Sequence, residues 1–213
     1  MNTIVYSAIY GDYDKPINQC IKQRPVLFSD KRHDCNWSVK VVKKRGSSDR
    51  MRAKYYKCNP HKELKCDVSI YIDGSGTIKT GKFVERCLEL LGDADMAAFV
   101  HHERDCIYKE AEFCHMFEKY IGVDIMGQVE QYRKEGWPED AGLWACGLLI
   151  RRHNTRVKKF NELWWRHIRR YTYQDQLSFP VCVKRSGVKL KTINLPLNEN
   201  NLITFLTPHA SNK

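Results

Sequence analysis

The stretch Val-Ser-Ile-Tyr-Ile-Asp-Gly-Ser-Gly at residues 68–76 joins a strand pattern to a glycine-flanked turn. Apolar β-branched residues occupy every second position before the turn, which is typical of a strand with one buried face. Asp73 stands where this pattern stops. A carboxylate at a strand tip can bind Mg²⁺ or Mn²⁺, which take one or two protein carboxylates and complete their shell with substrate phosphates. The same residues also fit a hairpin turn leading into a strand at 77–79, and both interpretations stay open.

Strand and helix patterns alternate on both sides of this stretch. Further strands are predicted at residues 3–9, 25–29, 37–42, 96–100, 142–150 and 188–193. Helices are predicted from a serine cap at 47–48 to a stop at 59–60, and at 83–91, 107–120, 124–134, 154–170 and 174–183. This alternation predicts an α/β sheet covered by helices on both faces. Because no internal repeat and no Gly-, Ser- or Pro-rich linker interrupts it, we expect one domain over residues 1–213.

The chain is basic, with 36 Lys and Arg against 25 Asp and Glu and a formal charge of +11. Such a charge favours anionic partners, which include nucleic acids, anionic membranes and phosphorylated small molecules. No apolar run approaches the roughly 20 residues that span a bilayer, and no signal peptide is visible, so we expect no membrane span. The nine cysteines form no C-x-x-C pair. Reduced thiols in the cytoplasm are the simplest expectation.

The chemistry is expected beyond the carboxyl ends of the strands, where open α/β sheets bind their ligands. Polar residues follow the predicted strands directly at 10–12, 29–30, 73–75, 101–104 and 151–153. We expect these residues to converge on one rim of the sheet.

Several motifs, in order along residues 3–193, resemble a known family. They are Ala8-Ile9-Tyr10-Gly11-Asp12-Tyr13-Asp14, Leu27-Phe28-Ser29-Asp30, Arg52-Ala53-Lys54 with Asn59-Pro60-His61, Ile70-Tyr71-Ile72-Asp73-Gly74-Ser75, His102-Glu103-Arg104-Asp105-Cys106-Ile107-Tyr108, Tyr132-Arg133-Lys134-Glu135-Gly136-Trp137-Pro138, Arg151-Arg152-His153-Asn154 with Trp164-Trp165, and Asp175-Gln176-Leu177-Ser178-Phe179. The chain thereby resembles a GT-A-type glycosyltransferase-like family of plant, bacterial and viral proteins, long known as a domain of unknown function. Its length and start also resemble an N-terminal glycosyltransferase domain of a chlorella-virus multidomain protein.

The resemblance implies a GT-A fold, in which helices flank a central mixed, mostly parallel sheet. It also implies a UDP-sugar donor, a glycan acceptor and Mn²⁺ or Mg²⁺ as cofactor. The viral likeness adds other domains of a longer polypeptide and a location in the host cytoplasm. By position, the residues expected to bind the donor are Ile9, Tyr10, Asp12, Asp30, Arg52, Asp73 and Ser75.

Metal binding is expected at Asp73, which matches the first acid of the family's Asp-X-Asp motif. Ser75 replaces the second acid, and we expect it to hold the ribose or a metal-bound water. A late histidine often supplies a further ligand in GT-A enzymes, and His209 is the candidate here. The tail at 205–213 is then expected to close over the donor site.

Sugar transfer develops positive charge on the sugar ring and negative charge on the leaving diphosphate. Asp175 is our candidate either to stabilise the sugar or to deprotonate the acceptor hydroxyl. A helix N-terminal acid stabilised by the helix dipole is the alternative for Asp175. His102 and Arg104 are expected to bind the acceptor or the donor sugar. Trp137 is expected in an exposed acceptor-side loop, and Trp164 in the core.

Two other functions compete with sugar transfer. One is a metal-dependent nucleic-acid-binding or nuclease domain that uses Asp73 and Asp175. Because the basic residues are dispersed and no nucleic-acid-binding signature is present, we expect no nucleic-acid partner. The other is a noncatalytic, lectin-like or scaffold domain, in which the acids only build turns.

Overall fold

The computed structural model describes residues 1–42, 47–197 and 200–205 and is built on a seven-stranded sheet with the order β3-β2-β1-β4-β7-β6-β8. In chain order its strands are β1 Thr3–Ile9, β2 Val26–Ser29, β3 Ser38–Val41, β4 Val68–Ile72, β6 Met96–Val100, β7 Trp144–Arg152 and β8 Leu190–Ile193. A two-stranded sheet pairs β5 Gly76–Ile78 with β9 Ile203–Phe205.

Strand direction defines where ligands can bind. β3, β2, β1 and β4 run parallel to one another, and β6 runs parallel to β8. β7 is antiparallel to both of its neighbours, β4 and β6. Every strand of the large sheet except β7 therefore ends at the same edge, which we call the carboxyl edge. The predicted mixed, mostly parallel sheet is confirmed and is consistent with a GT-A-like fold.

The helices flank this sheet. They are α1 Asp49–Cys58, α2 Pro60–Glu63, α3 Phe83–Leu91, α4 Ile107–His115, α5 Ile125–Lys134, α6 Thr155–Arg170 and α7 Asp175–Ser186, with a 3-10 helix at Glu118–Tyr120. Side chains cap four of the helix starts: Ser48 accepts a hydrogen bond from the backbone of α1, Cys106 from α4, Asp124 from α5 and Asn154 from α6. These caps satisfy backbone donors that a helix start leaves unpaired. In the described part of the chain, no helix has both the length and the apolar character needed to cross a membrane.

Each face of the sheet carries its own hydrophobic core. Ile70 and Ile72 of β4 pack with Phe83 of α3 on one face. Tyr71, between them in sequence, packs with Trp164 of α6 on the other face. Since successive side chains of a strand point to opposite faces, this alternation follows from the strand period of two. A third cluster joins α4 and α5 to α7.

The structure contradicts two predictions, one for the turn after β4 and one for the end of β7. The predicted hairpin is wrong, because β5 pairs with β9 rather than with β4. The placement of residues 151–153 on the binding rim is also wrong. Since β7 runs antiparallel, its end lies opposite the carboxyl edge, where Arg152 and His153 donate backbone hydrogen bonds to the carbonyl groups of Asp95 and Asp67.

Two helix predictions also change in extent. The helix predicted at 107–120 ends at His115, and the short 3-10 helix follows. α7 continues through Pro180 to Ser186, because Val181 and Cys182 beyond the proline remain buried in the core. Trp164 is buried as predicted, whereas Trp137 is half-buried against the third cluster.

Asp95 ties together three elements at the edge opposite the carboxyl edge. Its carboxylate accepts hydrogen bonds from Arg156 Nε at 2.6 Å, Asn154 Nδ2 at 2.7 Å and the Lys189 backbone at 2.9 Å. The Arg156 hydrogen bond is the main reason that the pKa of Asp95 is lowered to about 2. One charged group therefore holds the start of β6, the start of α6 and the residue before β8.

We predict that Trp164→Ala lowers the free energy of unfolding by about 3–5 kcal/mol, because it opens a cavity in the core. Trp164 is fully buried, and its indole Nε1 donates to the Asp175 carbonyl at 3.1 Å. Urea unfolding measures the change. The matched control is Trp165→Ala, which removes a half-buried indole from the same helix and should cost on the order of 1 kcal/mol. Equal losses in the two variants would contradict this assignment of the core.

We predict that Asp95→Asn lowers stability at pH 7 by about 1–3 kcal/mol. The pKa of Asp95 is depressed on folding, so its contribution is present above the unfolded pKa of about 4 and is lost as the pH falls towards 2. The gap between wild type and variant should therefore close between these pH values in acid-unfolding curves. Asp93→Asn, at an exposed neighbouring position, serves as the control and should leave the curve unchanged.

Candidate functional site

Asp73 lies at the carboxyl edge, directly after β4. Its Oδ1 accepts hydrogen bonds from the Tyr71 hydroxyl at 2.8 Å and from Lys57 Nζ at 3.2 Å. Within the described residues, no hydrogen bond reaches its Oδ2, and the side chain is 41% exposed. The carboxylate is thus fixed through one oxygen and open to a ligand through the other.

A buried ion cluster lies behind Asp73. Lys57 Nζ also contacts Asp175 Oδ2 at 2.8 Å, and Lys54 Nζ contacts the same oxygen at 2.5 Å. The side chains of Lys57 and Asp175 are only 2% and 5% exposed. Lys54 and Lys57 are three residues apart on α1 and so share one face of the helix. We call Lys54, Lys57, Asp73 and Asp175 the lysine–aspartate cluster.

The charges of this cluster determine which of its side chains are protonated. Burial alone would raise the pKa of Asp175, but the charges of Lys54 and Lys57 outweigh it and hold the pKa at about 2. Burial alone would lower the pKa of Lys57, but Asp175 and Asp73 keep that pKa above its ordinary value. Burial and the charge of Asp73 raise the pKa of Tyr71 well above its usual range. At neutral pH, Asp175 and Lys57 are therefore charged, and Tyr71 keeps the proton that it donates to Asp73.

The loop after β1 gathers a second group of charged residues. Gly11 has φ +67° and donates its backbone N–H to Asp30 Oδ2 at 3.4 Å. A Cβ at Gly11 would be strained by this positive φ and would lie 2.6 Å from Asp49 Oδ2, so glycine is favoured here. Arg52 Nη1 donates to Asp49 Oδ1 at 2.7 Å, and the buried Arg52 Nε has no hydrogen-bond partner in the described structure. Asp30 and Arg52 therefore lie around the same loop.

This loop packs against the turn that carries Asp73. A Cβ at Gly74 would come within 2.9 Å of Ile9 Cγ1 and 3.0 Å of Asp14 Oδ2. Gly74 thus lets the loop after β1 lie close to Asp73 and the half-buried Ser75.

The predicted nucleotide-pocket residues differ in accessibility. Ile9 and Tyr10 are buried, and Tyr10 stacks on Tyr56 with ring centroids 5.8 Å apart. Asp12 is 94% exposed and pairs with Lys31 at 2.5 Å. Among these residues, Asp12 offers its side chain to solvent most fully.

The segment after β6 connects to the cluster through a buried chain of hydrogen bonds. Arg104 Nε donates to Glu110 Oε2 at 2.5 Å, and Gln174 Nε2 donates to Glu110 Oε1 at 2.8 Å. Gln174 directly precedes Asp175. The Arg104 guanidinium also lies 3.8 Å from the centroid of the Phe113 ring. Arg104 is therefore held rigidly on the side of the site formed by α4 and α7.

The structure brings together some of the predicted site residues and not others. Asp73 and Asp175 meet through Lys57, and Arg104 pairs with Glu110, which accepts a hydrogen bond from Gln174, the residue before Asp175. His102 stacks on His101 at 5.2 Å and lies 3.7 Å from Glu103, with no hydrogen bond to the cluster within the described chain. His209 and the tail beyond residue 205 lie outside the described residues.

The residues at Asp73 fit one kind of metal site. Across residues 1–42, 47–197 and 200–205, no three His, Cys, Asp or Glu side chains gather as a metal-binding group. A cage made only of protein ligands is therefore not formed by these residues. The open Oδ2 of Asp73 fits Mg²⁺ or Mn²⁺, which can bind through one carboxylate and complete their shell with phosphate oxygens and water.

Sequence reasoning missed several residues of this site, namely Lys54, Lys57, Tyr71, Glu110 and Gln174. One signal was available for Lys57. It lies next to Tyr56 and four residues after Ala53, on the apolar side of the predicted helix. A lysine at a buried position needs a carboxylate partner, because an unpaired buried charge is costly.

A family model described as the TOD1/MUCI70, glycosyltransferase-like domain matches residues 13–205. The match includes the whole lysine–aspartate cluster. No curated protein matches the chain, and the similarity to a viral multidomain protein stays a prediction. Residues 13–205 make up most of the 213-residue chain. The chain therefore belongs to the TOD1/MUCI70 glycosyltransferase-like domain family.

Proposed function

We propose that this glycosyltransferase-like domain transfers a hexosyl or deoxyhexosyl group from a UDP-sugar to a glycan acceptor. One observation carries the proposal: a half-exposed carboxylate, Asp73, stands at the carboxyl edge with one oxygen open and two lysines behind it. A nucleotide diphosphate needs positive charge around it, and a divalent ion on the open oxygen of Asp73 would supply it while the two lysines offset the two aspartates. Family membership supports the reaction class.

The donor is proposed to lie over the loop after β1 and the turn after β4. Ile9, Tyr10, Asp12 and Asp30 are proposed to surround the nucleotide. Arg52 has a buried Nε without a partner in the described structure, so a phosphate or sugar oxygen would satisfy it. Ser75 is proposed to contact the donor from the side opposite Arg52.

A divalent metal, Mn²⁺ or Mg²⁺, is proposed as the cofactor. Asp73 would hold it through Oδ2, and His209, which lies outside the described residues, remains the candidate for a further ligand. When bound, the ion would supply positive charge for the leaving diphosphate. Lys57 and Tyr71 would keep Asp73 oriented, because both donate hydrogen bonds to its other oxygen.

Asp175 is proposed to act through its charge. A carboxylate with a pKa of about 2 is a weak base. We therefore favour stabilisation of positive charge over removal of a proton from the acceptor. His102 and Arg104 are proposed to contact the acceptor or the donor sugar from the α4 side.

A second candidate function rests on a basic groove formed by α2 and α6. Four cations line it beside Trp165 and one acid, Glu162; the cations are Lys62, Arg166, Arg169 and Arg170. None of these four cations forms an ion pair within the described residues. A nucleic acid would suit such a groove. Binding of RNA or DNA that weakens steeply with added salt would favour this function.

We predict that UDP and UDP-sugars bind in the presence of Mn²⁺ and that Asp73→Asn weakens this binding by at least about tenfold, or ~1.4 kcal/mol. The variant removes the charge that would hold the metal. Calorimetric titration measures the affinity, with EDTA as a second condition. Asp93→Asn, a charge-matched change at the opposite edge, should bind like wild type. A folded wild-type protein that binds no nucleotide sugar with Mn²⁺ would refute the transferase proposal.

We predict that Asp175→Asn lowers kcat by about 100-fold, because preorganised charge is a large part of such catalysis. The donor dissociation constant should change by less than about tenfold, since Asp175 would act mainly in the transition state. Steady-state kinetics and donor titration separate the two quantities, and thermal unfolding shows whether the variant is folded at the assay temperature. An unchanged kcat in a folded variant would remove Asp175 from the mechanism.

A further inference from the structure

Lys57 is fixed at both its backbone and its ammonium group. Its carbonyl oxygen accepts hydrogen bonds from Arg151 Nη2 at 2.7 Å and from the Tyr6 hydroxyl at 3.1 Å. Its Nζ lies between Asp175 and Asp73, at 2.8 Å and 3.2 Å. The ammonium also lies 4.9 Å from the centroid of the Tyr71 ring. Little freedom remains for this charge to move.

The two carboxylates around Lys57 have different environments. Asp175 is buried and shared by Lys54 and Lys57, so its single negative charge does not compensate both lysines. Asp73 is half-exposed and faces the proposed donor site. The contact between Lys57 and Asp73 therefore balances the positive charge that Asp175 leaves over. It places a permanent positive charge directly beneath the carboxylate at the mouth of the site.

We propose that Lys57 is a built-in counter-cation of the donor site. It holds Asp73 in position and, together with Lys54, offsets the negative charges of Asp73 and Asp175, so that the donor diphosphate meets a neutral cluster and not an anionic one. Donor binding then depends only in part on a divalent ion. This inference rests on the proposed function, because it concerns the site assigned there to the donor.

The arrangement sets Lys57 in competition with a divalent ion. Both cations use the carboxylate of Asp73, and the two positive charges repel each other at a separation of a few ångströms. Removing the lysine charge should strengthen metal binding at Asp73. The same change should weaken diphosphate binding when no metal is present. If Lys57 had only a structural role, its replacement would weaken both metal binding and diphosphate binding. Opposite changes in these two affinities therefore distinguish an electrostatic role from a structural one.

The test uses Lys57→Met, whose unbranched side chain is one atom shorter and uncharged, and Lys57→Arg, which keeps the charge. Mn²⁺ affinity is measured by calorimetry without nucleotide, and UDP affinity is measured in EDTA. For Lys57→Met we expect Mn²⁺ binding about tenfold tighter and UDP binding in EDTA about tenfold weaker. Lys57→Arg should keep both affinities close to those of wild type. Lys159→Met, an exposed lysine on α6, is the matched surface control and should change neither.

Lys54→Met provides a second variant, because Lys54 contacts Asp175 but not Asp73. It should weaken UDP binding in EDTA and strengthen Mn²⁺ binding less than Lys57→Met does, and it serves as the test if Lys57→Met does not fold. Unchanged UDP binding in EDTA for the folded lysine variants would overturn the inference. Parallel losses of both affinities in Lys57→Met would overturn it as well.

UDP binding to the wild-type protein, measured with Mn²⁺ and in EDTA, distinguishes failure of this inference from failure of the proposed function. Binding of UDP with Mn²⁺ but none in EDTA would refute the role of Lys57 and leave the donor site standing. No nucleotide binding in either condition would refute the proposed function itself. UDP binding that persists in EDTA and is lost on removing Lys57 would support both.

Discussion

The structure around the site depends on the need to pair buried charge. Lys54 and Lys57 come from α1, Asp73 follows β4, and Asp175 begins α7, more than 100 residues further along the chain. Taking these groups out of water costs several kcal/mol for each unpaired ion. The three elements must therefore meet in one geometry in which every charge has a partner. This requirement fixes α1, the end of β4 and the start of α7 relative to one another. One oxygen of Asp73 stays open, because Lys57 and Tyr71 both bind the other.

Local pattern was enough to predict most of the elements. The apolar period of β4 and the helical spacing of α6 are visible in sequence because burial on one face imposes them. The caps at Ser48 and Asn154 mark helix starts for a chemical reason that acts within three residues. Strand direction is different. Nothing within residues 144–152 shows that β7 runs antiparallel, because direction is decided by pairing with β4 and β6. The hairpin prediction failed for the same reason, since the partner of β5 lies at the far end of the chain.

The candidate site was predictable to the extent that it lies at strand ends. Asp73 was placed by the stop in the strand pattern, and the structure puts it at the carboxyl edge. Asp175 was chosen as the carboxylate that sugar transfer requires, but its burial beside two lysines could not be predicted from its neighbours in sequence. Lys57 was overlooked because a lysine on a helix is usually solvated. Its contacts bridge 16 and 118 residues of chain, and only the folded structure brings those partners together. Tertiary pairing of charge, rather than any local motif, therefore determines which side chains form the site.

The pairing of β5 with β9 has a consequence for work with the protein. Phe205 lies opposite Gly76, and the Gly76 backbone donates to the Asp73 carbonyl at 2.9 Å. β9 therefore lies at the rim of the site. A fluorophore, affinity handle or acceptor mimic joined near this point would be tethered within a short reach of Asp73, at a high effective concentration. β9 is accordingly a natural attachment point for a proximity probe and a poor place for a bulky insertion.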